Sequence, residues 1–404
     1  MTEPAGLQKT LGYWDLVAYG LAYIAPIAPL STIGFVWDAS GGLVVLAYLF
    51  GAACMYFTAR SYATMCEAVP NAGSVYAFAR MGLGRFAGFM AGWMILLDYL
   101  LIPALLYVLA SIAMSTLLPD VGRWVWIVLT MGITLAFNWF GIRVTTRVNF
   151  AFLALQGAML LAFLVLALVA LLGGKGDGAL TLHPLFDAAS FHAGKIFSAT
   201  SIAVLSFLGF DAISTLAEET KDPSGKTVGR AIMGTLAVAT LIFVVQTWVV
   251  GDLLPGLRIQ DPAAAAFELA HWAVGAGFAA FMAWVIALVN GFSNPVPMQA
   301  GVARVLFAMG RDRLDELASI VNFGALTGFA LLHLSVLNHF ALKMRSRQIF
   351  VHWLVPMIGL AVVMAVLSGM SRFAMDVGLT WMITGAVYGF FLRARNRDLI
   401  RAEI

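Results

Sequence analysis

Two carboxylates carry the clearest chemistry in this sequence. Asp98, in Leu96-Leu97-Asp98-Tyr99, and Asp211, in Ser206-Phe207-Leu208-Gly209-Phe210-Asp211, each fall inside an apolar stretch of transmembrane length. A charged side chain near a bilayer centre costs at least about 2.5–3.5 kcal/mol on insertion scales, so an acid kept there faces the protein interior and is usually functional. With no Lys or Arg partner in the spans, the pair suits a cationic solute or a proton. The alternative is that each accepts hydrogen bonds from Ser, Tyr or backbone donors and only fixes helix packing. Two nearby stretches mark places where a helix must open. Pro26 and Pro29, in Tyr23-Ile24-Ala25-Pro26-Ile27-Ala28-Pro29, remove two amide donors and the bonds they would make one turn back. Gly209 sits among Phe207, Phe210 and Asp211 at the middle of its own stretch. Interrupted helices in corresponding positions of two halves point to a transporter's central site, because unwound backbone offers free amides and carbonyls to a solute at the midplane. A pair of packing kinks is the competing reading.

The elements that position these residues follow from composition. Hydrophobic residues make up 61% of 404 positions and charged residues 11%, whereas a soluble domain carries about 25% charge. That excess of apolar surface requires lipid. The net charge of +3 is too small to argue for nucleic acid or an acidic partner. Cys54 and Cys66 show no CxxC and no His-rich neighbour, so the expectation is no metal site, no disulfide framework and no cofactor. Gly173-Gly174-Lys175-Gly176 lacks P-loop spacing, and neither a serine elbow nor a paired-His motif is present, so the chain does not read as an enzyme. His333 reads as a satisfied core histidine. The four-residue repeat of Gly84, Gly88 and Gly92 reads as close helix packing, and Ser293-Asn294-Pro295-Val296-Pro297 reads as a kink. The N-terminus lacks a cleavage pattern, so the first span is expected to stay.

A bilayer crossing needs about 20 apolar residues. Such stretches lie roughly at 12–36, 41–65, 85–118, 122–140, 148–172, 193–219, 228–252, 276–307, 317–342, 350–370 and 376–393. Runs this long are helices rather than barrel strands. Positive residues stay cytoplasmic. Lys9, then Arg60, Arg80 and Arg85, then Arg143 and Arg147, then Lys221, Lys226 and Arg230, then Arg304, Arg311 and Arg313 mark alternate loops as inside, with a cytoplasmic N-terminus. The alternation breaks at 317–342, which has Arg311 and Arg313 before it and Lys343, Arg345 and Arg347 after it. The simplest inference is that one spanning helix is absent near Arg313-Asp315. The charge pattern then predicts that 317–342, if fully inserted, turns its Asn322 end to the cytoplasm.

Several motifs resemble the amino-acid–polyamine–organocation superfamily, and among its members the bacterial putrescine importers. The matching stretches are Glu67-Ala68-Val69-Pro70-Asn71-Ala72-Gly73-Ser74-Val75-Tyr76, Gly92-Trp93 with Leu96-Leu97-Asp98-Tyr99-Leu100, and Phe207 to Asp211 with Ala217-Glu218-Glu219-Thr220-Lys221-Asp222-Pro223. Ala300-Gly301-Val302-Ala303-Arg304 with Gly310-Arg311-Asp312, and Val321-Asn322-Phe323-Gly324-Ala325-Leu326, extend the likeness over almost the whole chain. The resemblance implies an all-α polytopic membrane protein of the LeuT type. Its first inverted repeat would cover 1–172 and its second 193–342, shortened near 313–317 where the family's ninth helix would lie. Two terminal spans and a tail would occupy 350–404. It implies alternating access in the inner (plasma) membrane, with import of a small cationic amine, an amino acid as the alternative, and a transport-inactive scaffold as a third possibility. The site it implies takes backbone from Ala25, Pro26, Ile27, Ala28 and Gly209. Asp98 and Asp211 would face ammonium groups, and Tyr99, Phe207 and Phe210 would form walls. Proton coupling, if present, would use Asp98, Asp211 or Glu218, because Gln156 stands where several proton-coupled relatives carry a Lys. The partners implied are a small amine or amino acid, lipid and a proton, with the oligomeric state left open.

Overall fold

The computed structural model describes residues 9–69, 74–139, 146–222, 224–293, 295 and 314–395. Among the described residues, each of the apolar stretches contains a helix. The first is a bent pair, α1 (Tyr13–Ile24) and α2 (Ala28–Ser40), whose axes differ by 47°. α3 (Val44–Ala68) follows, and a short α4 (Ser74–Leu83) turns at Gly84 into the long α5 (Arg85–Leu117). α6 (Arg123–Trp139) and α7 (Thr146–Leu172) complete the first half. The sixth stretch is also broken. α8 (Ala193–Ala203) tightens into a 3-10 turn over Val204–Phe207, and a separate 3-10 helix runs over Phe210–Glu219. α9 (Lys226–Leu253), α10 (Ala265–Ala273) and α11 (Ala276–Leu288) come next, the last widening into a π-turn at Val289–Ser293. After the segment 296–313, which is outside the described residues, come α12 (Leu314–Val336), α13 (Val355–Ser368) and α14 (Arg372–Arg395).

Burial sorts these helices from centre to rim. The span over Ala193–Ala217 is 78% buried inside the protein, whereas Phe150–Leu172 is 33% buried and presents Leu161, Val165, Val169 and Leu172 as an exposed stripe at helical spacing. In a bilayer that stripe meets lipid at no cost. At the centre, α1 packs beside the 210–219 helix and α2 beside α8, so the two broken spans lie antiparallel. Gly84, with φ of +105°, makes the turn between α4 and α5, and a Cβ on Gly88 would come within 2.7 Å of the Arg80 side chain. The glycine repeat therefore serves packing. Cys54 and Cys66 are free and buried, and His333 is satisfied by Ser61 Oγ at 2.9 Å and Thr58 Oγ1 at 3.3 Å.

Loops that charge bias assigned to one side meet one another. At one end Arg123 pairs with Asp261 at 2.8 Å, and Lys175 Nζ donates to the carbonyls of Trp272 and Ala273 at 2.6 and 3.1 Å, closing the C-terminus of α10. At the other end the amides of Thr10 and Leu11 donate to the Glu219 carbonyl at 3.0 and 3.1 Å, and Lys221 N donates to Leu11 O at 3.1 Å.

The expected reversal of 317–342 does not hold. Asn322 donates to the Ser201 carbonyl in α8, whereas Asn338 and, at 3.3 Å, Lys343 donate to the Gly82 carbonyl beside Arg80 and Arg85. The Asn322 end therefore points away from the arginine-rich face. The charge pattern misled because polar side chains just past the end of α12 decide its direction by bonding to the end of α4. The motifs from Ala300 to Asp312, and Arg313, where the absent helix is inferred, fall on residues outside those described, which resume at Leu314.

Candidate functional site

The two breaks are made differently. At the first, Ala25 takes a left-handed conformation with φ of +59°, a strained choice for a residue with a Cβ. Its amide still donates to Leu21 O at 3.1 Å. Pro26 has no amide to continue the ladder, and the chain restarts through Ala28 N to Ala25 O at 2.9 Å. The side chain of Gln246 in α9 holds the break by donating to Pro26 O at 3.0 Å. At the second break Gly209 has φ of +114°, and a Cβ there would lie 3.1 to 3.3 Å from the ring and main chain of Tyr23. The two breaks thus touch. The Asp211 carboxylate lies against the backbone amides of Gly209, Asp211 and Ala212, at the N-terminus of the 210–219 helix, and its Oδ2 has no partner among the described residues.

Between the breaks lies a cavity of about 350 Å³, at the small end of the range for solute sites. Its deep end is lined by Ala25, Ala28, Ser31, Thr32, Ser206, Gly209 and Asn290, and its flank by Ile102, Leu105, Leu106 and Leu109 of α5. Toward the arginine-rich face it runs past Tyr19 and Leu216 to Leu11, Asp15 and Glu219. At about 1.5 Å of rise per residue, Asp15 and Ala25 stand about 15 Å apart along α1. Among the described residues the lining holds two carboxylates and no Lys, Arg or His. The deep hydroxyls are mutually occupied: Tyr48 OH bridges Thr32 Oγ1 and Ser206 Oγ, each at 3.0 Å.

Of the residues expected at the site, Ala25, Ala28 and Gly209 line the cavity. Pro26 and Ile27 sit behind it, Ile27 being fully packed. Phe207 packs between Tyr48 and Phe243, and Phe210 between Tyr62 and Phe329, with ring centroids 4.9 to 6.2 Å apart. Both aromatics brace the break rather than wall the cavity. Asp211 is buried and outside the lining. Asp98 and Tyr99 lie on α5 one turn before Ile102, but their side chains, like that of Glu218, are outside the described residues. Gln156 is buried with its Oε1 unpartnered among the described residues, and it does not line the cavity. Asp15, Tyr19, Glu219 and Asn290 were not singled out from sequence. For Glu219 the signal was the helix type. A 3-10 helix repeats every three residues, which aligns 219 rather than 218 with Leu216 on the cavity side.

The amino acid permease profile matches residues 15–370. The chain is 29% identical over 427 residues to the low-affinity putrescine importer PlaP of Escherichia coli strain K12, covering 96% of this chain and 94% of that one. It is 27% identical over 391 residues to the branched-chain amino acid permease BcaP of Bacillus subtilis, covering 82% and 81%. The first alignment is longer than this chain by 23 positions, 427 less 404, so at least that many positions of the importer have no counterpart here. Among solved structures, a manganese transporter of Eremococcus coleocola superposes with a TM-score of 0.55 at 12% identity, covering 99% of both chains. Mhp1 in its inward-facing conformation gives 0.55 at 14% identity, covering 96% and 95%. These likenesses show the LeuT-type fold, and the profile match over most of the sequence shows the kinship: the chain belongs to the amino acid permease family of secondary transporters.

Proposed function

We propose that this chain imports a small cationic amine of the putrescine kind by alternating access across the inner membrane, with its N-terminus cytoplasmic. The observation that carries the reading is the cavity between the two breaks, lined by Asp15 and Glu219 and, among the described residues, by no basic side chain. Helix ends add to it. The C-terminal ends of α1 and of the 204–207 turn bring carbonyls to the breaks, and such ends favour a cation by about 0.3–1 kcal/mol each. The opposing positive ends are blunted: Pro26 and Pro29 deprive α2 of donors, and Asp211 lies across the start of the 210–219 helix. In this reading Asp98 meets the ammonium directly, Asp211 acts by neutralising that helix end, and Asp98, Asp211 and Glu218 are the candidates for proton coupling.

A second reading, an amino-acid permease using backbone near Ala25 to Ala28 and Gly209, is supported by the apolar α5 wall and by the likeness to a branched-chain permease. A third, a transport-inactive membrane scaffold, is motivated by the deficit of at least 23 positions against the importer, about the length of one span. Uptake of radiolabelled putrescine by the 404-residue chain in proteoliposomes, competed by unlabelled putrescine and by leucine, separates all three. Putrescine uptake resistant to leucine supports the amine. Leucine uptake alone supports the amino acid. No uptake of either supports the scaffold.

A further inference from the structure

The deep end of the cavity holds one hydrogen-bonding group left without a partner among the described residues. Asn290 is 3% exposed and lines the cavity, yet its Nδ2 has no partner among the described residues. A buried amide left unpaired costs about 1–3 kcal/mol, so such a group in a native core calls for an explanation. The hydroxyls of Thr32, Tyr48 and Ser206 bond to one another and none of them bonds to it.

The local backbone aims this side chain deliberately. α11 widens at Val289–Ser293 into a π-turn, a feature that recurs at functional sites. Gly291 seats the turn against its neighbours, since a Cβ there would lie 3.2 Å from Thr130 of α6 and 3.6 Å from Ala110 of α5. Val289 is fully buried on the protein side. Asn290 is left facing the cavity, opposite in the cavity's length to Asp15 and Glu219.

We propose that the Asn290 side-chain amide binds the transported solute at the deep end of the cavity, hydrogen-bonding a second polar group besides the amine that faces the carboxylate-lined side, and so selects solutes that carry two polar groups. This rests on reading the cavity as the solute site and adds a specificity determinant to it. A site built to bond a polar group rejects an analogue lacking that group far more strongly than an apolar pocket rejects a missing methylene.

The test compares the wild type with Asn290→Leu on two pairs of compounds, each pair differing by one polar group: putrescine with n-butylamine, and leucine with isoamylamine. Binding is read by competition in proteoliposomes and folding by the melting temperature in detergent. For whichever of putrescine and leucine the wild type takes, it should favour that compound over its partner by at least about tenfold, and Asn290→Leu should remove most of the preference. Leu fills the same space without an orphan amide, so the variant should melt no lower than the wild type. If leucine is taken and putrescine is not, the amine reading fails while the role of Asn290 is still scored on the leucine pair. A preference unchanged in Asn290→Leu, a fall in melting temperature with equal loss of both partners, or a wild type that takes neither solute overturns the inference.

Discussion

The break between α1 and α2 and the break between α8 and the 210–219 helix do one job with opposite devices. The first removes donors: Pro26 and Pro29 cannot bond, and a strained Ala25 carries the turn. The second keeps its amides and sets an acid beside them: Ala212 N donates to Gly209 O at 3.2 Å, and the Asp211 carboxylate lies at the same helix start. Gly209 takes its positive φ without a Cβ to strain, whereas Ala25 takes one with a Cβ. Either way the positive helix end is withdrawn from the cavity and the carbonyl end remains. The difference teaches that charge preference at a broken-helix site can be set by subtracting donors as well as by adding acids.

The largest effect is expected from the point where the breaks touch. Gly209→Leu places a side chain against Tyr23 at a φ that side chains rarely adopt, and should abolish uptake while leaving α3 and α9 folded, as read by a retained monodisperse protein in detergent. Asp211→Ala should come next. Uncovering the positive end of 210–219 should let leucine compete better against putrescine by several-fold, an effect of the order of 1 kcal/mol. An unchanged ratio would reduce Asp211 to packing. Pro26→Ala restores one amide at the other break and should shift the same ratio in the same direction by a smaller factor. If Pro26→Ala exceeds Asp211→Ala, the first break dominates selectivity and the two devices are not equivalent.

Tyr48→Phe tests what both breaks share. It deletes the bridge between Thr32 beside the first and Ser206 beside the second, and should lower stability by about 1 kcal/mol with the putrescine-to-leucine ratio unchanged. The smallest effect lies outside the membrane. Ser224 and then Thr227 donate to Asp222, holding its carboxyl well below the usual carboxylate range. A depressed pKa contributes stability above the unfolded value, about 3.9, that is lost as pH falls through the folded value. Asp222→Asn should therefore melt slightly lower than the wild type at pH 7, and the gap should close only below about pH 4.

Both breaks were legible because proline and glycine act through the backbone, where sequence alone states the consequence. The spans and their alternating ends were legible for the same kind of reason, apolar length and arginine placement. Direction failed at α12, where Asn338 and Lys343 find a carbonyl at the end of α4 that no count of charges contains. The wall of the cavity was harder to read. The family resemblance made Phe207 and Phe210 walls, and the fold turns both toward aromatic neighbours on α3, α9 and α12. Glu219 and Asn290 reach the cavity only because one helix is tighter and another wider than α, and composition does not show helix type.

The central claim is that the cavity between the two breaks selects a cation through its carboxylates. Its most direct measurement is putrescine uptake into proteoliposomes by the wild type and by the double variant Asp15→Asn, Glu219→Gln, with leucine as competitor. The account predicts saturable putrescine uptake in the wild type, weak competition by leucine, and a loss of about tenfold or more in apparent affinity for putrescine in the double variant, near 1.4 kcal/mol. Equal putrescine affinity in the two proteins, or uptake of leucine with none of putrescine, would contradict it.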